Sequence, residues 1–240
     1  MLIKAFYGLL ILMEVMKFDR AELYWMKSEK FWLVGSNYGK IMSRDSFVQV
    51  KCYLHFSDDT SQNLQGDKLH KIRFILGHCR QQFKSKYVPS REISVDEAMV
   101  PFKGRLGIKQ YMKDKPVKFG IKLWMVADAV SGYCHNFEVY LGKNGTLVNR
   151  NLGLAARVVI EITRPLQMKG YVIYTDNFDT SPRLADYLYC INTYLCGTVC
   201  TNRKGYPKDL VLSNAVARHL ARGSSDWLMC GPLLASVMYM

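Results

Sequence analysis

Apolar residues fall at helical spacing through the first third of the chain and at strand spacing after it. Residues 3–16 are apolar almost throughout, which predicts a buried helix. Residues 21–26 read as a second, short helix carrying Tyr24 and Trp25. Ser43 precedes Phe47, Val50 and Leu54, an N-cap hydroxyl ahead of apolar residues one helical turn apart. Over 69–87, Leu69, Ile72, Leu76 and Phe83 line one helix face, while Lys71, Arg73, Arg80 and Lys84 fill the rest. Between these helices, 57–66 is a polar turn in which Asp58 and Asp59 read as solvated rather than catalytic.

After Pro89 the period changes. Residues 92–97 alternate, with Ile93 and Val95 on one face and Asp96 at the strand's end. Residues 119–128 form a longer apolar strand, Asp128 to Gly132 a hairpin turn, and 133–141 a third strand. Leu147, Leu154, Val158 and Ile162 stripe a helix over 147–162. Residues 171–175 are a short buried strand closed by Asp176. Thr180-Ser181-Pro182 then has the hydroxyl and proline of an N-cap and first turn, for a helix to about residue 191. A last strand covers 193–200. Three antiparallel strands followed by helix-linked parallel strands make an α/β fold with a ribonuclease H-like mixed sheet. The expected domains are a helical N-terminal region over 1–88, the core over 89–200, and a basic, partly helical segment over 201–240.

Composition adds a partner. The 240 residues carry a net charge of +13 and a pI near 9.4. A polyanion is the natural counterpart of such a surface, and nucleic acid is commoner than an anionic membrane. The bland alternative is a soluble basic surface. The apolar run over 5–15 is too short to span a bilayer and holds Glu14; Lys17, Asp19, Arg20 and Glu22 follow it where a cleavage site would need small residues. No membrane role is expected. This first helix begins at the first residues, so the chain is expected to start inside a domain. Seven cysteines without a Cys-x-x-Cys pair predict reduced thiols. Cys190, Cys196 and Cys200 cluster, but the next histidine at any zinc spacing is His219, so a zinc site is disfavoured.

In the expected sheet the first and fourth strands are parallel neighbours, so Asp96 and Asp176 point into one crevice. Two ionised carboxylates there call for a cation, and Mg2+ or Mn2+ would leave positions open for water and phosphate oxygens. Two such ions support in-line displacement at phosphate, which ordinarily takes a third carboxylate. The alternative is a plain strand-end residue at 96 and an Asx turn or cap at 176. Glu97 should face away from Asp96, and Asp179 is expected to cap the following helix. Lys103, Arg105, Lys109, Lys113, Lys115, Lys118 and Lys122 stand against one acid, Asp114, with Tyr111 and Phe119 interleaved. Such a stripe binds DNA phosphates in a salt-dependent way, or else is a solvated hairpin face. Arg203 and Lys204 form a second, weaker patch, and 218–222 is weaker still.

These residues carry a resemblance. The run Ile93-Ser-Val-Asp-Glu-Ala-Met-Val-Pro-Phe-Lys-Gly-Arg105 is similar to the first catalytic motif of piggyBac-type transposases, and Tyr174-Thr-Asp-Asn-Phe178 with Thr180-Ser181 to the second. The stretch from Tyr111 to Lys122, Ser131-Gly-Tyr133, Tyr140-Leu-Gly142, Cys196-Gly-Thr198, Asn202-Arg203 and Pro207 follow in the family's order, and Tyr24-Trp25, Met42-Ser-Arg44 and Leu54-His-Phe56 precede it. The resemblance implies a DDE/D transposase domain with Asp96 and Asp176 as catalytic, metal-holding residues. It also implies DNA partners (transposon ends and TTAA targets), a homodimer and a nuclear location. The family's third aspartate is expected about where the chain ends, downstream of Asp209 and Asp226, so 201–240 reads as the truncated start of an insertion. The family's N-terminal region and cysteine-rich tail are not in this sequence, and Asp179 stands where the family usually has an aromatic. Two functions are therefore expected to compete: an incomplete transposase catalytic region, or a domesticated protein that binds DNA or chromatin without cutting.

Overall fold

The computed structural model describes residues 2–26, 38–57, 66–142, 153–212 and 219–239. Asp58, Asp59, Leu147 and Arg218 lie outside them. The chain divides into two compact units, 1–74 and 75–240.

The first unit is helical. It holds α1 (Leu2–Val15), a 3-10 turn over Ala21–Trp25, the short α2 (Tyr38–Ile41) and α3 (Arg44–Tyr53). Ser43 caps α3, its hydroxyl accepting from the Ser46 amide, which satisfies a donor the helix leaves open. An aromatic core joins the elements: Phe6, Leu9, Tyr24, Tyr38, Met42 and Phe47 are buried together. The indole of Trp25 donates to the Met42 carbonyl at 2.8 Å, so the half-buried ring packs on this core without stranding its N–H.

The second unit carries the sheet. Its first helix, α4 (Arg73–Lys86), begins in the last two residues of the first unit, four residues later than the apolar spacing predicts. Asp67 explains the delay: its carboxylate accepts from the Leu69 amide and from Arg73, holding 67–72 in turns. Arg73 beside it, above all, lowers the Asp67 pKa to about 2.

β1 (Glu92–Pro101), the short β2 (Lys109–Tyr111), β3 (Phe119–Asp128) and β4 (Cys134–Val139) come next. α5 (Leu154–Thr163), β5 (Val172–Thr175), α6 (Pro182–Cys190) and β6 (Tyr194–Gly197) follow. The sheet runs β2-β3-β1-β5-β6, with β4 also paired to β3. β1–β3 and β3–β4 are antiparallel, while β1–β5 and β5–β6 are parallel. This is the strand order expected from the sequence, with β2 added at the edge. Ile93, Val95, Trp124, Val126 and Ile173 from the sheet meet Val158, Val159 and Ile162 of α5 and Leu184 and Leu188 of α6. Each such side chain contributes roughly 1.5–3 kcal/mol.

Asp128 ties the base of the β3–β4 turn. Its carboxylate accepts from the amides of Ser90, Val130 and Ser131 and from the Tyr87 hydroxyl, and these donors hold its pKa well below the ordinary carboxylate range.

Residues 225–238 differ from the partly helical segment expected. They form a hairpin, β7 (Ser225–Cys230) paired antiparallel with β8 (Leu233–Met238). The pair Gly231-Pro232 between two apolar runs is the turn signal. All seven cysteines are free. Among the described residues no helix is long and apolar enough to cross a membrane.

Candidate active site

β1 and β5 run side by side with Glu92, Ile93 and Ser94 opposite Val172, Ile173 and Tyr174. The same register, carried two residues past the last pair, aligns Asp96 with Asp176, which follows the end of β5. Ile93 and Ile173 are fully buried; by alternation both aspartates take the other face, and both are exposed. Asp96 is not a strand-end residue, because β1 keeps β3 as a partner as far as Pro101. It stands where β1 has lost β5 and kept β3, so the sheet opens at this point.

Asp176 is held by an Asx turn. Its Oδ1 accepts from the amides of Phe178 at 3.0 Å and Asp179 at 3.2 Å. The Thr180 hydroxyl lies 2.6 Å from the Asp176 carbonyl and 2.7 Å from the Thr175 hydroxyl. Gly197 of β6 closes in on this shelf: a Cβ there would sit 2.2 Å from the Thr175 carbonyl oxygen and 2.6 Å from the Thr180 hydroxyl. That contact explains the glycine of Cys196-Gly-Thr198 by close approach alone. Arg203 completes the brace, its guanidinium donating to the carbonyls of Asn177 and Phe178. It was expected to meet DNA, but its donors serve the loop that carries Asp176. Lys204 beside it is exposed.

The opposite face holds a second charged group. Lys122 pairs with Glu97, side chains 13% and 15% exposed, and its ammonium lies 4.0 Å from the centroid of the Trp124 ring. Lys122 is thus removed from the DNA-binding stripe. Alternation was the available signal, since Lys122, Trp124 and Val126 share one face of β3. Trp124 stacks in turn with Phe178.

Asp179 lies in this group, 2% exposed, with one carboxylate oxygen lacking a partner among the described residues. It does not cap α6; Ser181 does, its hydroxyl accepting from the Leu184 amide. Burial first, then the charges of Asp176 and Glu97, raise the Asp179 pKa to about 7. Lys122 opposes this, and Asp96 adds to it.

The basic arm between β1 and β3 divides by role. Lys103, Arg105, Lys113 and Lys118 are exposed. Lys109 turns back to the Gly104 carbonyl at 3.0 Å. Lys115 reaches the site, 3.7 Å from Asp96 Oδ1 and 3.3 Å from the Glu97 carbonyl.

The donor set suits a hard divalent cation in part. Asp96 and Asp176 each give one oxygen to backbone amides and offer oxygen ligands of the kind Mg2+ and Mn2+ take. Among the described residues no group of three acidic, histidine or cysteine side chains could hold a metal.

A family model for transposase IS4 matches residues 1–239. The chain belongs to that transposase family. Within it the likeness is to piggyBac relatives, as the motifs imply. The human piggyBac transposable element-derived protein 3 is 30% identical over 233 residues, covering 95% of this chain and 38% of the relative. The human piggyBac transposable element-derived protein 2 is 30% identical over 236 residues, covering 94% and 38%. The cryo-EM structure of a piggyBac transposase synaptic complex with hairpin DNA superposes with a TM-score of 0.83 at 28% identity, covering 98% of this chain and 48% of that one. The sheet of this transposase family member is therefore ribonuclease H-like, and the chain spans less than half the length of these relatives.

Proposed function

We propose that this piggyBac-like chain is a DNA-binding transposase core that does not by itself cut or join DNA. The observation that supports this reading is that Asp96 and Asp176 each follow the last β1–β5 pair, Ser94 opposite Tyr174, by two residues, beside a basic arm, with no group of three metal-binding side chains among the described residues. Asp96 and Asp176 would hold one divalent ion, which when bound supplies charge neutralisation at phosphate. In-line displacement needs charge offset on both the attacking and leaving oxygens, and two carboxylates fall short of that. Lys103, Arg105, Lys113 and Lys118 track phosphates, and DNA as the partner argues for a nuclear location, tested by imaging the tagged chain. The piggyBac relative solved with hairpin DNA supports transposon ends as the substrate; TTAA targeting and a dimer belong to the same reading.

The test incubates the purified chain with a transposon-end duplex in Mg2+ and in Mn2+. Binding without nicking is expected, with affinity falling steeply with salt. Changing Lys103, Arg105 and Lys118 to Glu should weaken binding about tenfold or more. Nicking that is lost in both Asp96→Ala and Asp176→Ala would overturn the non-cutting assignment, and salt-independent binding the phosphate-tracking one.

A further inference from the structure

A second site stands at the opposite end of the sheet. Arg91, Tyr171 and Tyr194 lie at the starts of β1, β5 and β6, whereas Asp176 follows the end of β5. With Pro89, Lys169 and Gly170 they line a pocket of about 520 Å³ that lies mostly open to solvent, its volume within the roughly 300–1,000 Å³ range of small-molecule sites. The wall is built on the sheet ladder: the amides of Val172, Tyr194 and Gly170 donate to the carbonyls of Arg91, Tyr171 and Asn192 at 2.9, 2.9 and 3.0 Å. Gly170, at φ +76°, makes the turn between Lys169 and Tyr171 that a side chain would resist.

The lining is cationic. Arg91 makes one long bond, Nε to the Gly170 carbonyl at 3.4 Å. Lys169 uses one ammonium proton on the Pro165 carbonyl at 2.7 Å. Neither forms an ion pair among the described residues. The field extends inward: burial first, then Lys84 and Lys169, hold the His135 ring below its ordinary pKa. A fork of guanidinium donors beside an ammonium suits phosphate oxygens. Tyr171 and Tyr194, both half-buried, border the pocket and bring aromatic side chains beside which an aromatic group can pack, and the pocket exceeds what a lone phosphate fills.

We propose that this cavity binds a nucleotide, its phosphate between Arg91 and Lys169 and its base against Tyr171 or Tyr194. This goes beyond the transposase reading and uses none of its residues. A free nucleotide and the terminal nucleotide of a DNA strand present the same chemistry.

The test is calorimetric titration of the full chain with AMP, adenosine, inorganic phosphate and a five-nucleotide single strand. AMP should bind saturably, and more tightly than adenosine or phosphate. Lys169→Glu and, separately, Tyr194→Ala should each weaken AMP about tenfold; Lys169 touches only a surface carbonyl, so the fold survives its loss. The double change of Lys103 and Arg105 to Glu should leave AMP binding unchanged, which separates this site from the basic arm. A strand that binds more tightly than AMP and is lost in the same two variants points to a DNA end, and a weaker one to a free nucleotide; both support the site. No saturable AMP binding, phosphate binding as tight as AMP, or AMP binding unchanged in both variants overturns it.

Discussion

At the scale of single residues, Asp179 is the group under most stress. A carboxyl displaced from 3.8 to about 7 carries at most on the order of 4 kcal/mol. The folded chain keeps its proton between those two values where the unfolded chain has lost it, so stability falls as pH rises through that window. Asp179→Asn in metal-free buffer should therefore stabilise the chain by about 1–4 kcal/mol at pH 8 and lose that advantage by pH 4. Urea unfolding across this range measures it, and parallel pH profiles for parent and variant would refute it. The sequence marked Asp179 as unusual, since an aromatic is expected there, but not as buried. A motif shows that a residue departs from its kin; its surroundings depend on groups such as Glu97 of β1 and Lys122 of β3, which arrive from distant strands. Arg203 escaped for the same reason. One basic residue looks like another until the carbonyls it reaches are known.

At the scale of elements, the close approach of β6 to the end of β5 sets the shape of the aspartate loop. Gly197→Ala drives a methyl into the Thr175 carbonyl, which is backbone and yields little, so a loss of about 1–3 kcal/mol is expected. Gly8→Ala in α1 meets nothing within 4 Å and should be neutral or gain up to about 1 kcal/mol from helix propensity. Thermal unfolding of the two variants checks the contrast; equal effects would mean that β6 shifts freely. Strand alternation and the hydroxyl-proline start of α6 were legible, because both are local patterns, whereas the cap expected of Asp179 belongs to Ser181. The extension of β1 to Pro101 was not, because it depends on β3, whose pairing positions lie 19 to 35 residues downstream. The β7–β8 hairpin was not read from the sequence, from which a partly helical segment was expected there; its Gly231-Pro232 turn was the available local signal.

At the scale of the molecule, the net charge of +13 is not spread evenly in purpose. Lys122 is spent on Glu97, Arg203 on a loop, and Lys109 on its own arm, while Lys103, Arg105, Lys113 and Lys118 remain for solvent. The basic character was legible from composition and spacing, but which cations stay clear of other protein groups had to be read from their contacts. Lys115 has a further consequence. Among the described residues it is the cation paired with Asp96, whose side chain is 66% exposed, and it sits on the arm proposed to meet phosphate. A bound strand that draws Lys115 toward its backbone leaves Asp96 in want of another positive charge. Occupancy by polyanion and occupancy by divalent ion then reinforce each other, and the coupling is reciprocal by thermodynamic necessity. Mn2+ affinity measured with and without duplex should differ several-fold, and Lys115→Ala should abolish most of that difference; a difference that survives the substitution would place the coupling elsewhere. The arm then works less as a handle than as a latch whose release readies the aspartates.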